Sequence, residues 1–289
     1  MYARPTVPLS IGGVIDDAFR LYRSSFSRWW LLSLVYATLS AAGSILILLS
    51  VPNYQSVARR GGMALYVAMM SNPIGLSINL GLILVLLVFY GAIIARQCAV
   101  ARADTGFTIG QALMVAMRRI PGMLLGGILF ALAVVIGAGA PIFLATFLLG
   151  RVPPLITLLL TIPGIYLWGR LQLWIAPMFA DNAIALDSLD VSWRLTRGNW
   201  WRGIAIVTVM VIIMLVVSFA LGMIGGIAGA VTHARLLEFQ IIVQGFSAVT
   251  YFLTYPLMTA VLLVTYQDFK LRREGGDLEA RLGALDRAA

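Results

Sequence analysis

The sequence predicts an all-α, polytopic membrane helix bundle: six transmembrane helices with cytoplasmic interfacial amphipathic helices, organised as three two-span repeats. Three observations predict it. Hydrophobic residues make up 61% of the chain and charged residues only 11%, against about 25% charged in an ordinary soluble domain. Apolar runs long enough to cross a bilayer recur six times, a crossing taking about 20 residues for roughly 30 Å of hydrocarbon. Arginines cluster in the short segments between alternate pairs of runs.

In chain order, the first span is Trp29 to Val51. It is too long for a signal-peptide core and has no small-residue cleavage pattern ahead of it, so it stays as a span. The second runs from Ile74 to Ala95 and the third from Pro121 to Leu149. The third exceeds what a straight crossing needs, so tilt or a break is expected, most naturally at Gly137-Ala-Gly-Ala-Pro141. The fourth, Leu155 to Phe179, carries Arg170; the fifth, Gly203 to Val231, is again long enough to tilt or break; the sixth is Ile241 to Tyr266. The chain is a single integral membrane domain with repeat units about 8–105, 106–182 and 183–270, and 271–289 forms a short cytoplasmic tail.

Charge placement orients the bundle. Arg4, Arg20, Arg23 and Arg28 precede span one, Arg96, Arg102, Arg118 and Arg119 separate spans two and three, Arg194, Arg197 and Arg202 separate four and five, and five more cations follow span six. Only Arg59, Arg60, Arg151 and Arg235 fall on the other side. The positive-inside rule then puts both termini in the cytoplasm of a multi-pass protein of the bacterial inner membrane. A net charge of +9 spread over four juxtamembrane segments fits anionic lipid headgroups and not a nucleic acid.

The segments before spans one and five align without gaps. Ile15-Asp-Asp-Ala-Phe-Arg-Leu-Tyr-Arg23 matches Leu189-Asp-Val-Ser-Trp-Arg-Leu-Thr-Arg197, and both run into a tryptophan pair, Trp29-Trp30 and Trp200-Trp201. The middle copy, Ile109 to Arg119, keeps the apolar spacing but loses the aspartate and the tryptophans. In the first copy Ile11, Val14, Ile15, Ala18, Phe19, Tyr22 and Phe26 share one helical face and Asp16, Arg20, Arg23 and Ser27 the other, an amphipathic helix. Asp16 with Arg20, and Asp190 with Arg194, stand at i and i+4, a spacing that supports a helix by a few tenths of a kcal/mol. Such a helix, with tryptophans at its exit, suits the headgroup plane; packing of its apolar face under the bundle is the alternative.

Together with Pro8 to Arg23, Ile162-Pro-Gly-Ile-Tyr166, Ser192 to Arg202 and Thr265 to Asp277, these motifs resemble the membrane-domain family of glycerophosphoryl diester phosphodiesterases. The resemblance covers nearly the whole chain. It implies a stand-alone six-span membrane member, because about 20 residues after span six leave no room for a catalytic barrel. It carries no phosphodiesterase activity over.

Chemistry is sparse. The spans hold no aspartate or glutamate, the one histidine, His233, sits in the loop Thr232 to Glu238, and the one cysteine, Cys98, excludes an internal disulfide or a multi-cysteine metal cluster. The glycine pairs fit neither a phosphate loop nor a dinucleotide fingerprint. No catalytic, cofactor or metal residue is expected, and the protein is read as no enzyme; His233 with Glu238 and Arg235 is too few for an intramembrane one. Arg170 lies roughly 13 Å inside the cytoplasmic end of a straight span, where arginine is costly. It either meets a lipid phosphate or anionic solute, or a bend at Pro163-Gly164 brings it to the interface beside Trp168 and Trp174. Pro163 and Pro256 each remove a helical hydrogen bond, and Gly122-x-x-x-Gly126 and Gly225-x-x-x-Gly229 permit close helix approach.

The expected function is non-catalytic: organising lipid or a protein partner at the cytoplasmic face. The candidate lipid or anion contacts are Arg20, Arg23, Arg170, Arg194, Arg197, Trp200 and Trp201, and the expected partners are anionic membrane lipids, with a protein partner or homo-oligomer as the second class. The alternative is a transporter of a small anionic solute or lipid, since parallel repeats are a transporter device. Against it stand the missing carrier signature and the absence of a buried carboxylate to couple ions.

Overall fold

A computed structural model describes residues 2–52, 54–231 and 236–288. The described residues form helices and no strand: α1 Ile11–Ser24, α2 Phe26–Leu49, α3 Tyr54–Arg59, α4 Gly62–Ser71, α5 Pro73–Ala101, α6 Ile109–Leu149, α7 Pro154–Leu160, α8 Ile162–Leu171, α9 Ile175–Ala180, α10 Ala185–Thr196, α11 Trp200–Val231 and α12 Leu236–Ala288. Six segments are long and apolar enough to cross a membrane: α2, α5, α6, the α7–α9 series, α11 and residues Glu238–Arg273 of α12. They coincide with the six apolar runs. The helices bury little outer surface and present Phe143, Phe147, Leu215 and Phe219 outward, the side chains that lipid and not water would solvate.

Helix α12 is the hub, packing against α1, α2, α5, α9, α10 and α11. The fully buried side chains Trp29, Leu21, Ile93, Ile94, Met123, Leu173, Ile206, Tyr266 and Phe269 place the densest core at the arginine-rich end. Pro256 shows how the hub tolerates its missing donor. The carbonyl four residues back, Phe252, takes the Ser33 hydroxyl of α2 at 2.8 Å, and the Pro256 carbonyl receives Gln97 Nε2 of α5 at 2.7 Å. Neighbouring helices thus supply the hydrogen bonds that an apolar solvent cannot.

Two expectations are corrected. Helix α6 runs unbroken through Gly137 to Pro141, because these small residues serve a helix crossing: a Cβ on Gly137 would lie 3.2 Å from Gly164 Cα, and one on Gly164 2.6 Å from Ala138 Cβ. Helix α11 is likewise continuous, which leaves tilt of the two readings of its length. The middle amphipathic segment is no separate helix either. It forms the first turns of α6, begun by a capping box of Thr108 and Gln111.

Span four is the broken one. It interrupts at Thr161, just before Pro163, and again between Leu171 and Ile175. The glycine pairs pack closely, as that reading required: Gly122 and Gly126 face Met178 and Trp174, and Gly225 and Gly229 face Phe246 and Phe239.

Candidate functional site

The two copies of the repeated motif use their residues differently. Helix α1 starts on the Ser10 hydroxyl, which accepts from the Gly13 amide at 3.0 Å, and buries Val14, Asp17, Ala18 and Leu21 against α12, α11 and α5. Arg20 pairs with Asp17 at 2.9 Å, not with Asp16, which is exposed. The reason is burial: the Asp17 carboxylate is shut from solvent, takes the Tyr2 hydroxyl at 2.6 Å, and a buried charge needs a partner that Asp16 does not. Burial, then the Asp17 carboxylate beside it, raise the Tyr2 hydroxyl well above its ordinary range, so it stays a donor.

Helix α10 turns its polar stripe inward. Ser188, Ser192 and Thr196, at i, i+4 and i+8, are fully buried, while Ile184, Leu186 and Trp193 are exposed. The stripe meets the second break of span four. Ser192 Oγ donates to the Arg170 carbonyl at 3.0 Å and accepts from the Leu173 amide at 3.2 Å; Thr196 Oγ1 donates to the same carbonyl at 2.9 Å. Helix α10 therefore supplies the bonds that α8 loses where it ends. Asp190 and Arg194 form the expected i,i+4 pair, at 2.9 Å, with both side chains exposed.

Arg170 lies under this helix, 5% exposed. Its guanidinium carbon stands 4.1 Å from the Trp193 ring centroid and 6.0 Å from that of Tyr166, and its Nε has no hydrogen-bond partner. The charge is met by aromatic faces, in the interior and not at the surface. The tryptophan pairs divide their work in both copies. Trp29, fully buried, donates its indole N–H to the Tyr22 carbonyl at 3.0 Å, and Trp200 donates to the Tyr166 carbonyl at 3.2 Å. The second members, Trp30 and Trp201, are exposed.

The arginines also divide. Arg28, Arg96, Arg102 and Arg273 donate to backbone carbonyls at helix ends and turns, and Arg202 and Arg272 to the Leu9 carbonyl and the buried Asp268. Sequence reading missed these staples, since a carbonyl that needs a donor leaves no mark in composition. Arg23 and Arg197 are exposed, with no side-chain ion pair or hydrogen bond among the described residues.

Arg194 lines a cleft of about 270 Å3 with Lys270, Arg273, Tyr266 and Asp181, three cations against one carboxylate. A smaller hollow beside it adds Arg4 to the same Asp181, Tyr266 and Lys270. Asp181 accepts from Lys270 Nζ at 2.7 Å and from the Tyr266 hydroxyl. Burial alone would raise its carboxyl, but the Lys270 and Tyr266 hydrogen bonds outweigh that and hold it below its ordinary value. A depressed carboxyl contributes stability above the unfolded value, about pH 4, and loses it as pH falls through the folded value. We expect Asp181→Asn to lower the melting temperature slightly near pH 7 and to converge with the parent in acid, which flattens the acid limb; an unaltered limb would show that the pair does not couple to folding. The effect is small, since Lys270 and Asp181 are 36% and 42% exposed and solvent screens them.

Among the described residues no three histidine, cysteine or acidic side chains are grouped to hold a metal. His233 and Arg235 lie outside the described residues. Cys98 is buried, as a packing residue would be.

Six membrane-length helices define the chain as a multi-pass helical membrane protein. It belongs to the family described as domain of unknown function DUF7847, matched over residues 119–269, just over half of its length. No curated protein and no solved structure matches it.

Proposed function

We propose that this protein is a non-catalytic integral membrane protein that organises anionic lipid at the cytoplasmic face of the bacterial inner membrane. The carrying observation is the cleft in which Arg194 joins Lys270 and Arg273, beside a helix whose outward side chains are Ile184, Leu186 and Trp193. A phosphate headgroup would sit among the cations while its acyl chains lie along the apolar flank. Arg20, Arg23 and Arg197 are exposed on the two copies of the motif, as are the outer tryptophans Trp30 and Trp201, and would add to such a surface.

The test is native mass spectrometry of the detergent-extracted protein. Each cation near an anionic surface contributes about 1 kcal/mol, so Arg20→Ala, Arg194→Ala and Arg197→Ala combined should weaken retention of phosphatidylglycerol by roughly two orders of magnitude. Retention equal to the parent would overturn the reading.

A further inference from the structure

The middle copy of the repeated motif, which lacks the aspartate of the other two, is also the copy whose arginines stand without an acid. In the outer copies Arg20 pairs with Asp17 and Arg194 with Asp190. Arg118 and Arg119, on the early turns of α6, form no ion pair among the described residues. Both line a hollow of about 430 Å3 that Met178 of α9 and Asn182, Ile184 and Ala185 at the start of α10 complete, with no carboxylate in its lining. Arg119 is half-buried, donates to the Asn182 amide oxygen, and holds its guanidinium carbon 5.0 Å from the Phe179 ring centroid. Its remaining N–H groups are not shut from solvent, and Arg118 is exposed.

We infer that this hollow binds a lipid with a phosphomonoester headgroup, the class of phosphatidic acids. Two guanidiniums without a carboxylate match a phosphomonoester, which carries about −1.5 to −2 at pH 7, whereas a phosphodiester would leave one of them unmatched. Their planar forks also present paired donors to phosphate oxygens. Helix α10 adds to the field. Its N-cap residue Ile184 supplies no side-chain bond, so the positive end of the helix stands uncapped at the hollow; Asp187, the acid of its first turn, is exposed and outside the lining. A lipid and not a free phosphate is indicated by α6 itself. Leu125, Leu132 and Ile136, at i+7, i+14 and i+18 from Arg118, share its face of the unbroken helix and are exposed, an apolar track for acyl chains leading away from the arginines. The hollow shares no lining residue with the cleft of Arg194, Lys270 and Arg273, and the inference does not rest on that cleft.

The test is native mass spectrometry of the full chain in detergent, titrated with dioleoyl phosphatidic acid, with dioleoyl phosphatidylglycerol and with glycerol 3-phosphate. Phosphatidic acid should be held about fivefold more tightly than phosphatidylglycerol, the contribution of one cation at such a surface, and glycerol 3-phosphate at equal concentration should not displace it. Arg118→Gln, at an exposed side chain with no bond to lose, should remove that preference without shifting the melting temperature. Ile184→Asp caps α10 and puts a carboxylate beside the arginines, so retention of phosphatidic acid should fall about thirtyfold; Ile184→Asn, which caps as well without charge, should lose far less. Each variant is measured alone and with Arg194→Ala, so that failure of this hollow and failure of the cleft are told apart. Phosphatidic acid held no better than phosphatidylglycerol, equal retention by Ile184→Asp and Ile184→Asn, or displacement by glycerol 3-phosphate would each overturn the inference.

Discussion

Asp268→Ala should destabilise the protein by about 3–5 kcal/mol, the cost of breaking a buried ion pair from one side. The carboxylate is fully buried and lies 3.0 Å from the Nε atoms of both Arg202 and Arg272, whose side chains are 18% and 30% exposed. Its other oxygen accepts from the Leu9 amide at 2.8 Å, and the Leu9 carbonyl accepts from the same two arginines. One side chain therefore holds the segment before α1 onto α11 and α12. Without it, two guanidiniums face each other with no anion between them and a backbone amide is left unpaired. Asp268→Asn keeps an acceptor and should fall between the parent and the alanine variant. Denaturant unfolding in detergent reads the loss, and limited proteolysis should cut first ahead of α1. A loss below about 1 kcal/mol would mean that water replaces the carboxylate at little cost.

The spans were legible because lipid leaves the sequence no freedom: a crossing must be apolar for its whole length, and the six runs coincide with the six long helices. Breaks were less legible. The stretch Gly137 to Pro141 reads equally as a kink or as a crossing, and the deciding partner, Gly164, belongs to another helix. Pro163 produced the break it signalled because it stands at the start of α8, where its missing amide costs nothing.

The repeated motif was visible as sequence but not as use. Amphipathicity gives a helix two faces without saying which is buried, and α10 buries hydroxyls because the Arg170 carbonyl and the Leu173 amide wait there. The i+4 row Ser188, Ser192 and Thr196 was the available signal. Arg170 itself stood out from the apolar background. Tyr166 stands at i−4 to it on α8 itself, whereas its cover by Trp193 follows from the packing of α10 on α8, which one sequence does not reveal.

The second large effect is expected where α8 packs on α6, for Gly164→Leu, with a loss of about 3 kcal/mol or more. A Cβ on Gly164 would meet Ala138 Cβ at 2.6 Å and, less forgivingly, the Ala138 amide nitrogen and Val134 carbonyl oxygen at 2.9 Å. Backbone cannot rotate away as a side chain can, so α8 must move off α6. Gly164→Ala should already cost about 2 kcal/mol, and adding Ala138→Gly should recover only part of it, because the backbone contacts remain. Gly122→Ala makes the contrast: its nearest neighbour, at 2.8 Å, is the terminal methyl of Met178, which can swing aside, so the loss should stay under about 1 kcal/mol. Equal losses for the two alanine variants would show that α6 and α8 are not held at backbone distance. Since α8 carries the Arg170 carbonyl that seats Ser192 and Thr196, displacing it should also loosen α10. Amide exchange within residues 185–196 should then rise in Gly164→Ala and stay unchanged in Gly122→Ala.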